Sequence, residues 1–236
     1  MQKGQLREYF LEACNEISKP LLPHGFKVTK KGQQLKMKPP NKDLTYEIYF
    51  QSSAYNIPSD ITICPTLIVY SQKAKAYDIK ITENPNYDGL VWGSHLIKLT
   101  PKKINLNWNL AGKSREISIA EIIDGLFKYG IPIFKLFDEP NYAVKTLCQN
   151  GTLFYNHMDK GGDSLGALTF MLLYGTKEEA EYYFNGYVNR CTYKKKIHYL
   201  YSSLKDLPVI DLNFSEFWEA ILIKKAYVAG LKIWDL

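Results

Sequence analysis

The sharpest catalytic pattern in the chain is Gly162-Asp163-Ser164-Leu165-Gly166, which fits the G-x-S-x-G nucleophile elbow of a serine hydrolase. An elbow needs a strand before the serine and a helix after it, so that a strained turn lifts the hydroxyl above a sheet. An apolar helical pattern does follow, but residues 157–161 separate the nearest apolar run, Leu153 to Tyr155, from the turn. His198 is the only histidine after Ser164, and an acid in elbow order would come from Glu178, Glu179 or Glu181, a compressed triad. The string reads better as a Gly161-Gly162 loop with Asp163 or Ser164 capping an apolar helix. The same glycines lack the lysine of a phosphate-binding loop and the spacing of a dinucleotide site. Cys148, His157, Asp159, Cys191 and His198 are the nearest approach to a metal set, yet no pair has the spacing of a ligand motif on one element, and His24 and His95 stand alone. No catalytic residue, metal or cofactor is expected.

Charge offers a second kind of chemistry. Lys27, Lys30, Lys31, Lys36 and Lys38, with Lys42 beyond them, precede the first acidic residue of their stretch, Asp43. On a hairpin the alternating lysines share a face, where they can meet phosphate or an acidic protein surface. The same residues also serve an exposed edge, since lysines there discourage sheet-to-sheet aggregation. A later run, Tyr182, Tyr183, Tyr187, Arg190, Tyr193, Lys194, Lys195, Lys196 and Tyr199, mixes aromatic and basic groups as a single-strand binder does. Tyr183, Tyr187 and Arg190 recur at helical spacing, however, which marks a core stripe.

The elements that must position these residues follow from periodicity. Leu6, Tyr9, Phe10, Ala13, Cys14 and Ile17 share one face of a helix over 5–18, which Pro20 and Pro23 close and Gly25 reverses. Alternation over 26–29 and 35–38 predicts a hairpin turning at Lys31-Gly32, with Phe26, Val28, Leu35 and Met37 facing inward. Further strands are expected at 44–50, at 61–69 with Pro65 at an edge or bulge, and at 95–99 and 104–108. Beyond Arg115 the period becomes helical, with helices at 117–129, stopped by Gly130 and Pro132, and at 138–149, capped by Asp138. Three more are expected at 165–174, 177–190 and 215–231. The fold class is α+β: an N-terminal helix, an antiparallel sheet, then a helical C-terminal half. The expected division is a sheet domain over 1–137 and a helical region over 138–236 packed on it.

The leading helix, the run Pro20-Leu21-Leu22-Pro23-His24-Gly25-Phe26-Lys27, the basic hairpin and a strand ending Phe50-Gln51-Ser52-Ser53 together resemble a bacterial domain-of-unknown-function family, the 4304 type. Tyr129-Gly130-Ile131-Pro132-Ile133-Phe134 is similar to the segment that closes that domain. The resemblance spans roughly the first 140 residues. It implies an α+β domain and no catalytic residues.

Composition fits this reading. The chain has 236 residues, 46% of them hydrophobic, enough to bury a core without disulfides. Four widely spaced cysteines read as reduced thiols, and no run is long and apolar enough for a membrane span, so the expected compartment is the cytoplasm. The net charge of +6 is uneven: residues 1–115 carry +8 and residues 116–236 carry −2. The leading function is a non-enzymatic protein-binding module, of which an immunity-type protein that neutralises a bacterial toxin is one form, since 18 tyrosines offer material for an interface. Nucleic-acid binding through the lysine hairpin and a hydrolase built on Ser164 are the alternatives. The expected partner is another protein, with nucleic acid second and no membrane.

Overall fold

The computed structural model describes residues 3–101, 107–153, 166–204, 217 and 219–234, and the fold is α+β. The chain opens on helix α1 (Lys3–Ser18), which buries Leu6, Phe10, Ala13, Cys14 and Ile17 while Glu8, Glu12 and Glu16 stay exposed. A 3-10 segment, Lys19–His24, carries both prolines, and Gly25 reverses the chain at φ 92°. Strands β1 (Lys27–Thr29), β2 (Gln34–Met37), β3 (Leu44–Ser52) and β4 (Thr62–Ser71) follow, then helix α2 (Gln72–Thr82) and strand β5 (Leu90–His95). A short helix α3 (Leu96–Leu99) and strand β6 (Trp108–Asn109) complete the sheet region. Its strands run in the order β1-β2-β3-β4-β5, with β6 also paired to β4, and the registers of β1 with β2, β2 with β3 and β4 with β6 are antiparallel.

The remaining elements are helical: α4 (Ser114–Gly125), a π-helical turn Leu126–Gly130, α5 (Ile131–Asp138), α6 (Pro140–Asn150), α7 (Leu168–Tyr174), α8 (Lys177–Arg190), α9 (Lys194–Ser203) and α10 (Ala220–Val228). By compactness the described chain forms two units. One comprises residues 3–69 and 93–138; the other comprises residues 70–92, 139–153 and 166–234.

In the first unit the core follows strand alternation. Leu44, Tyr46, Ile48 and Phe50 of β3 and Ile63, Leu67 and Val69 of β4 are fully buried, each contributing about 1.5–3 kcal/mol. Tyr46 stacks on Phe134 of α5 with ring centroids 4.8 Å apart. Helices α1 and α4 are joined by Arg115, whose guanidinium donates 2.8 Å hydrogen bonds to both carboxylate oxygens of Glu16 and lies over the Tyr9 ring.

Several sequence expectations change. Val28 is 43% exposed rather than inward, because β1 ends the strand order and the cover above Leu35, its register partner, does not reach it. Pro65 is buried inside β4, which lies between β3 and β5 rather than at an edge of the sheet. The strand expected at 95–99 is helix α3, whose apolar run Leu96, Ile97 and Leu99 is buried; most of the one expected at 104–108 lies outside the described residues. Gly130 and Pro132 do not stop the helix. The Ile131 N–H donates to the Leu126 carbonyl across a π turn, which widens the helix just before the proline ring, and a Cβ on Gly130 would stand 2.6 Å from Leu67 Cδ2. Asp138 closes α5, and Glu139 takes the N-cap position of α6.

The second unit is built mainly from helix contacts among α2 and α6 to α10. Helix α8 carries a full capping box, Thr176 with Glu179, and buries Ala180, Tyr183, Phe184, Tyr187 and Val188. Helices α2 and α9 have no counterpart in the periodicity reading. The buried face of α2 is Ala74, Asp78 and Thr82, which carries no apolar stripe for a sequence pattern to report.

Candidate functional site

The β1–β2 hairpin gathers the predicted lysines on the edge of the sheet. Its turn is made by three successive left-handed residues, Lys30 (φ 47°), Lys31 (φ 54°) and Gly32 (φ 92°). For a side chain that conformation costs about 1–2 kcal/mol per residue, and glycine or asparagine would ordinarily occupy it. At Gly32 no side chain fits, since a Cβ would lie 2.6 Å from Asn15 Oδ1. Lys30 Nζ sits 5.4 Å from the centre of the Tyr49 ring, and Gln33 donates to the Phe50 carbonyl at 2.9 Å, tying the turn to β3.

The register separates one lysine from the other four. Lys36 faces Lys27 on β1 and Glu47 on β3, and its ammonium pairs with Glu47 at 2.6 Å. Glu47 is buried and also accepts from Gln34 Nε2, while Thr29 Oγ1 donates to Gln34 Oε1 at 3.0 Å. Lys36 is therefore part of the hairpin's own polar network. Lys27, Lys30, Lys31 and Lys38 are exposed and form no ion pair with any described residue.

At the end of the hairpin away from the turn lies a cavity of about 320 Å³, lined by His24, Gly25, Phe26, Met37, Lys38, Pro39, Pro40, Ile131, Phe134, Lys135 and Asp138. Phe26 and Phe134 form its apolar wall, and His24 packs edge-on against Phe127. Tyr46 Oη donates to Asp138 Oδ1 at 2.7 Å, which fixes that carboxylate. The cavity falls at the bottom of the range for small-molecule pockets and has room for an apolar side chain. Its walls come from three segments, 24–26, 37–40 and 131–138. Sequence reasoning did not single out Phe134, Lys135 or Asp138 as site residues, because only the fold brings residue 134 beside residue 26.

Other polar groupings appear that spacing did not suggest. Cys64 Sγ and Thr66 Oγ1 lie 3.3 and 2.9 Å from His95 Nδ1. Burial pushes the Cys64 thiol up to about 11, and burial with Lys98 nearby pushes the His95 imidazole down. Both shifts favour the uncharged forms, thiol and neutral imidazole, whereas a cysteine nucleophile acts as the thiolate. In the second unit Lys225 Nζ pairs with Asp78 Oδ1 at 2.6 Å, Thr169 Oγ1 donates to the same oxygen at 3.0 Å, and the Tyr87 ring lies 4.8 Å from the ammonium. Desolvation lowers the Lys225 pKa despite that partner. Tyr187 and Tyr193 both donate to Glu219, at 2.8 and 2.6 Å, and burial together with the carboxylate pushes both phenols upward. Tyr183 and Tyr187 are buried, as a core stripe requires.

Ser164 and the elbow residues 162–165, with His157 and Asp159, lie outside the described residues. His198 is half-buried on α9, and Cys148 Sγ donates to the Glu179 carbonyl at 3.5 Å, with burial and the Glu179 carboxylate raising that thiol to about 11. Among the described residues no group of three His, Cys, Asp or Glu side chains could hold a metal ion, and no helix is long and apolar enough to cross a membrane. The chain matches no family model, no curated protein and no solved structure.

Proposed function

We propose that this chain is a non-enzymatic binding module that engages an acidic surface of another protein through the lysine edge of its sheet. The observation that carries this reading is the hairpin's uncompensated charge. Four exposed lysines stand within twelve residues with no carboxylate on any described residue to pair them, while the fifth, Lys36, is neutralised by Glu47. Two of the four occupy left-handed turn positions that glycine would fill with less strain, so the sequence retains positive charge at the hairpin tip at a cost in stability. Clustered like charge of this kind speeds encounter with an oppositely charged partner and selects against basic ones. An immunity-type protein that occludes a toxin is one form of this function, and the toxin would then present an acidic face. The resemblance to the 4304-type domains supports the same non-catalytic reading.

The test is capture from cells of the source organism at ~100 mM salt, with the wild-type chain and the variant Lys27→Glu, Lys31→Glu, Lys38→Glu side by side. A protein retained by the wild type and lost from the folded variant is the expected result. Sub-micromolar binding to a 20-base single-stranded or duplex oligonucleotide, with affinity falling steeply in log salt, would instead make phosphate the ligand.

A further inference from the structure

Building on that reading, we infer that the partner binds as an extended peptide, adding a strand to β1 and placing one apolar side chain in the cavity beside it. Three observations converge on this mode. First, β1 ends the strand order: β2 pairs one side, and among the described residues no strand pairs the other, which leaves backbone groups open for addition. Val28, at the middle of β1 and 43% exposed, is an apolar residue that an added strand would cover.

Second, the open edge leads directly into the cavity. Gly25 and Phe26 precede β1, Met37 ends β2 and Lys38 follows it, and all four line the cavity. The three residues of β1 span about 10 Å between the turn lysines and this opening. A peptide of six or seven residues therefore reaches from Lys30 and Lys31 to the Phe26–Phe134 wall. Alternation along a strand sends every second side chain toward one face, so one apolar anchor at its end can enter the cavity while its neighbours stay outside.

Third, charge selects the sequence around that anchor. Lys30 and Lys31 stand at one end of the path, Lys27 along it, and Lys38 and Lys135 at the cavity rim, all exposed. Against them stands one carboxylate at the cavity, Asp138, which accepts the Tyr46 hydroxyl proton. The occupant is thus an acidic extended segment with a single aromatic or large aliphatic residue. Lysines on an edge ordinarily keep other strands away. Here they admit strands of opposite charge and reject the rest.

The mode is tested with the full chain, by selecting ten-residue peptides from a random displayed library and measuring the enriched ones by fluorescence anisotropy and amide hydrogen exchange. Expected are peptides with several Asp or Glu flanking one Phe, Trp, Tyr or Leu. Replacing that anchor by Ala, or N-methylating alternate backbone amides of the peptide, should each weaken binding at least tenfold, and the bound peptide should slow exchange over residues 27–29. The N-methyl peptide tests strand addition without altering the protein, while Lys38→Glu with Lys135→Glu, checked for an unchanged melting temperature, should lower affinity at least tenfold. Acidic peptides that need no anchor and leave exchange at 27–29 unchanged would overturn this mode while leaving an acidic partner in place. A library that yields no acidic peptides would overturn it as well, and the acidic-partner reading then stands or falls on the charge-reversal capture alone.

Discussion

The hairpin of the first unit and the core of the second put charge to opposite uses. Around residues 3–69 and 93–138, the hairpin lysines 27, 30, 31 and 38 lie on the surface without carboxylate partners among the described residues. Around residues 70–92, 139–153 and 166–234, Asp78 and Lys225 are buried together, with side chains 4% and 3% exposed, and Glu219 is sealed between two tyrosine hydroxyls. A buried ion is tolerated only when its neighbours satisfy it, so the second arrangement is fixed by the fold and leaves little for a ligand. A solvated, unpaired cation contributes little to stability and keeps its full capacity to pair with something else. Ionisable residues thus mark a place to look for function at the hairpin and a means of specifying structure in the second unit's core.

The comparison breaks most visibly at Lys225. Lys225→Ala strands the Asp78 carboxylate and should cost about 3–5 kcal/mol in denaturant unfolding, whereas the double change Asp78→Leu, Lys225→Met should recover most of it. A loss below ~1 kcal/mol would mean the buried pair holds nothing together. Next in size, Glu219→Ala leaves the Tyr187 and Tyr193 hydroxyls, 2.9 Å apart, with only each other, so one of the two phenol protons loses its acceptor, and Lys36→Gln takes the ionic partner from buried Glu47. Each should cost about 1–3 kcal/mol, placing Lys36 with the buried charges although it lies on the surface hairpin.

A smaller, graded effect is expected in alkali. Burial raises Cys14 from 9.0 to about 12 and Cys64 to about 11, and burial with Glu219 raises Tyr187 and Tyr193 above the ordinary phenol value. The folded chain therefore keeps protons that the unfolded chain releases, so this stability is complete below about pH 9 and is lost progressively above it. Lys225, whose pKa is lowered, works in the opposite direction but as a single group. Chemical denaturation at pH 8, 9.5 and 10.5 should show falling midpoints, and Tyr187→Phe with Tyr193→Phe should flatten the slope by removing the second unit's phenols. The smallest stability effect belongs to Lys27, Lys30, Lys31 and Lys38. Their replacement by Gln should change unfolding by no more than about 0.5 kcal/mol each while abolishing capture of the acidic partner. A large loss of stability would show that they hold the hairpin rather than serve it.

By itself, the sequence determined the elements whose burial is periodic. Helix α1, the hairpin, β3, β4 and α8 all follow from apolar residues at spacings of two or of three and four, since local geometry alone puts such residues on one face. The lysines were legible for the same reason. What only the tertiary structure decided is which groups meet. Val28 and Leu35 look equivalent in an alternating pattern, yet one lies under cover and the other at the margin of the sheet. Gly130 and Pro132 read as a helix stop, but a π turn carries the helix through them, and the nearby Leu67 side chain leaves no room for a Cβ at 130. Lys36 and Lys38 are indistinguishable by spacing, and the register against Glu47 neutralises one of them. Helix α2 escaped notice because its buried face is anchored through Asp78, whose partners lie 91 and 147 residues away. Periodicity records burial that is apolar and local; a buried charge, an edge and a cavity are defined by partners far along the chain, and only folding supplies them.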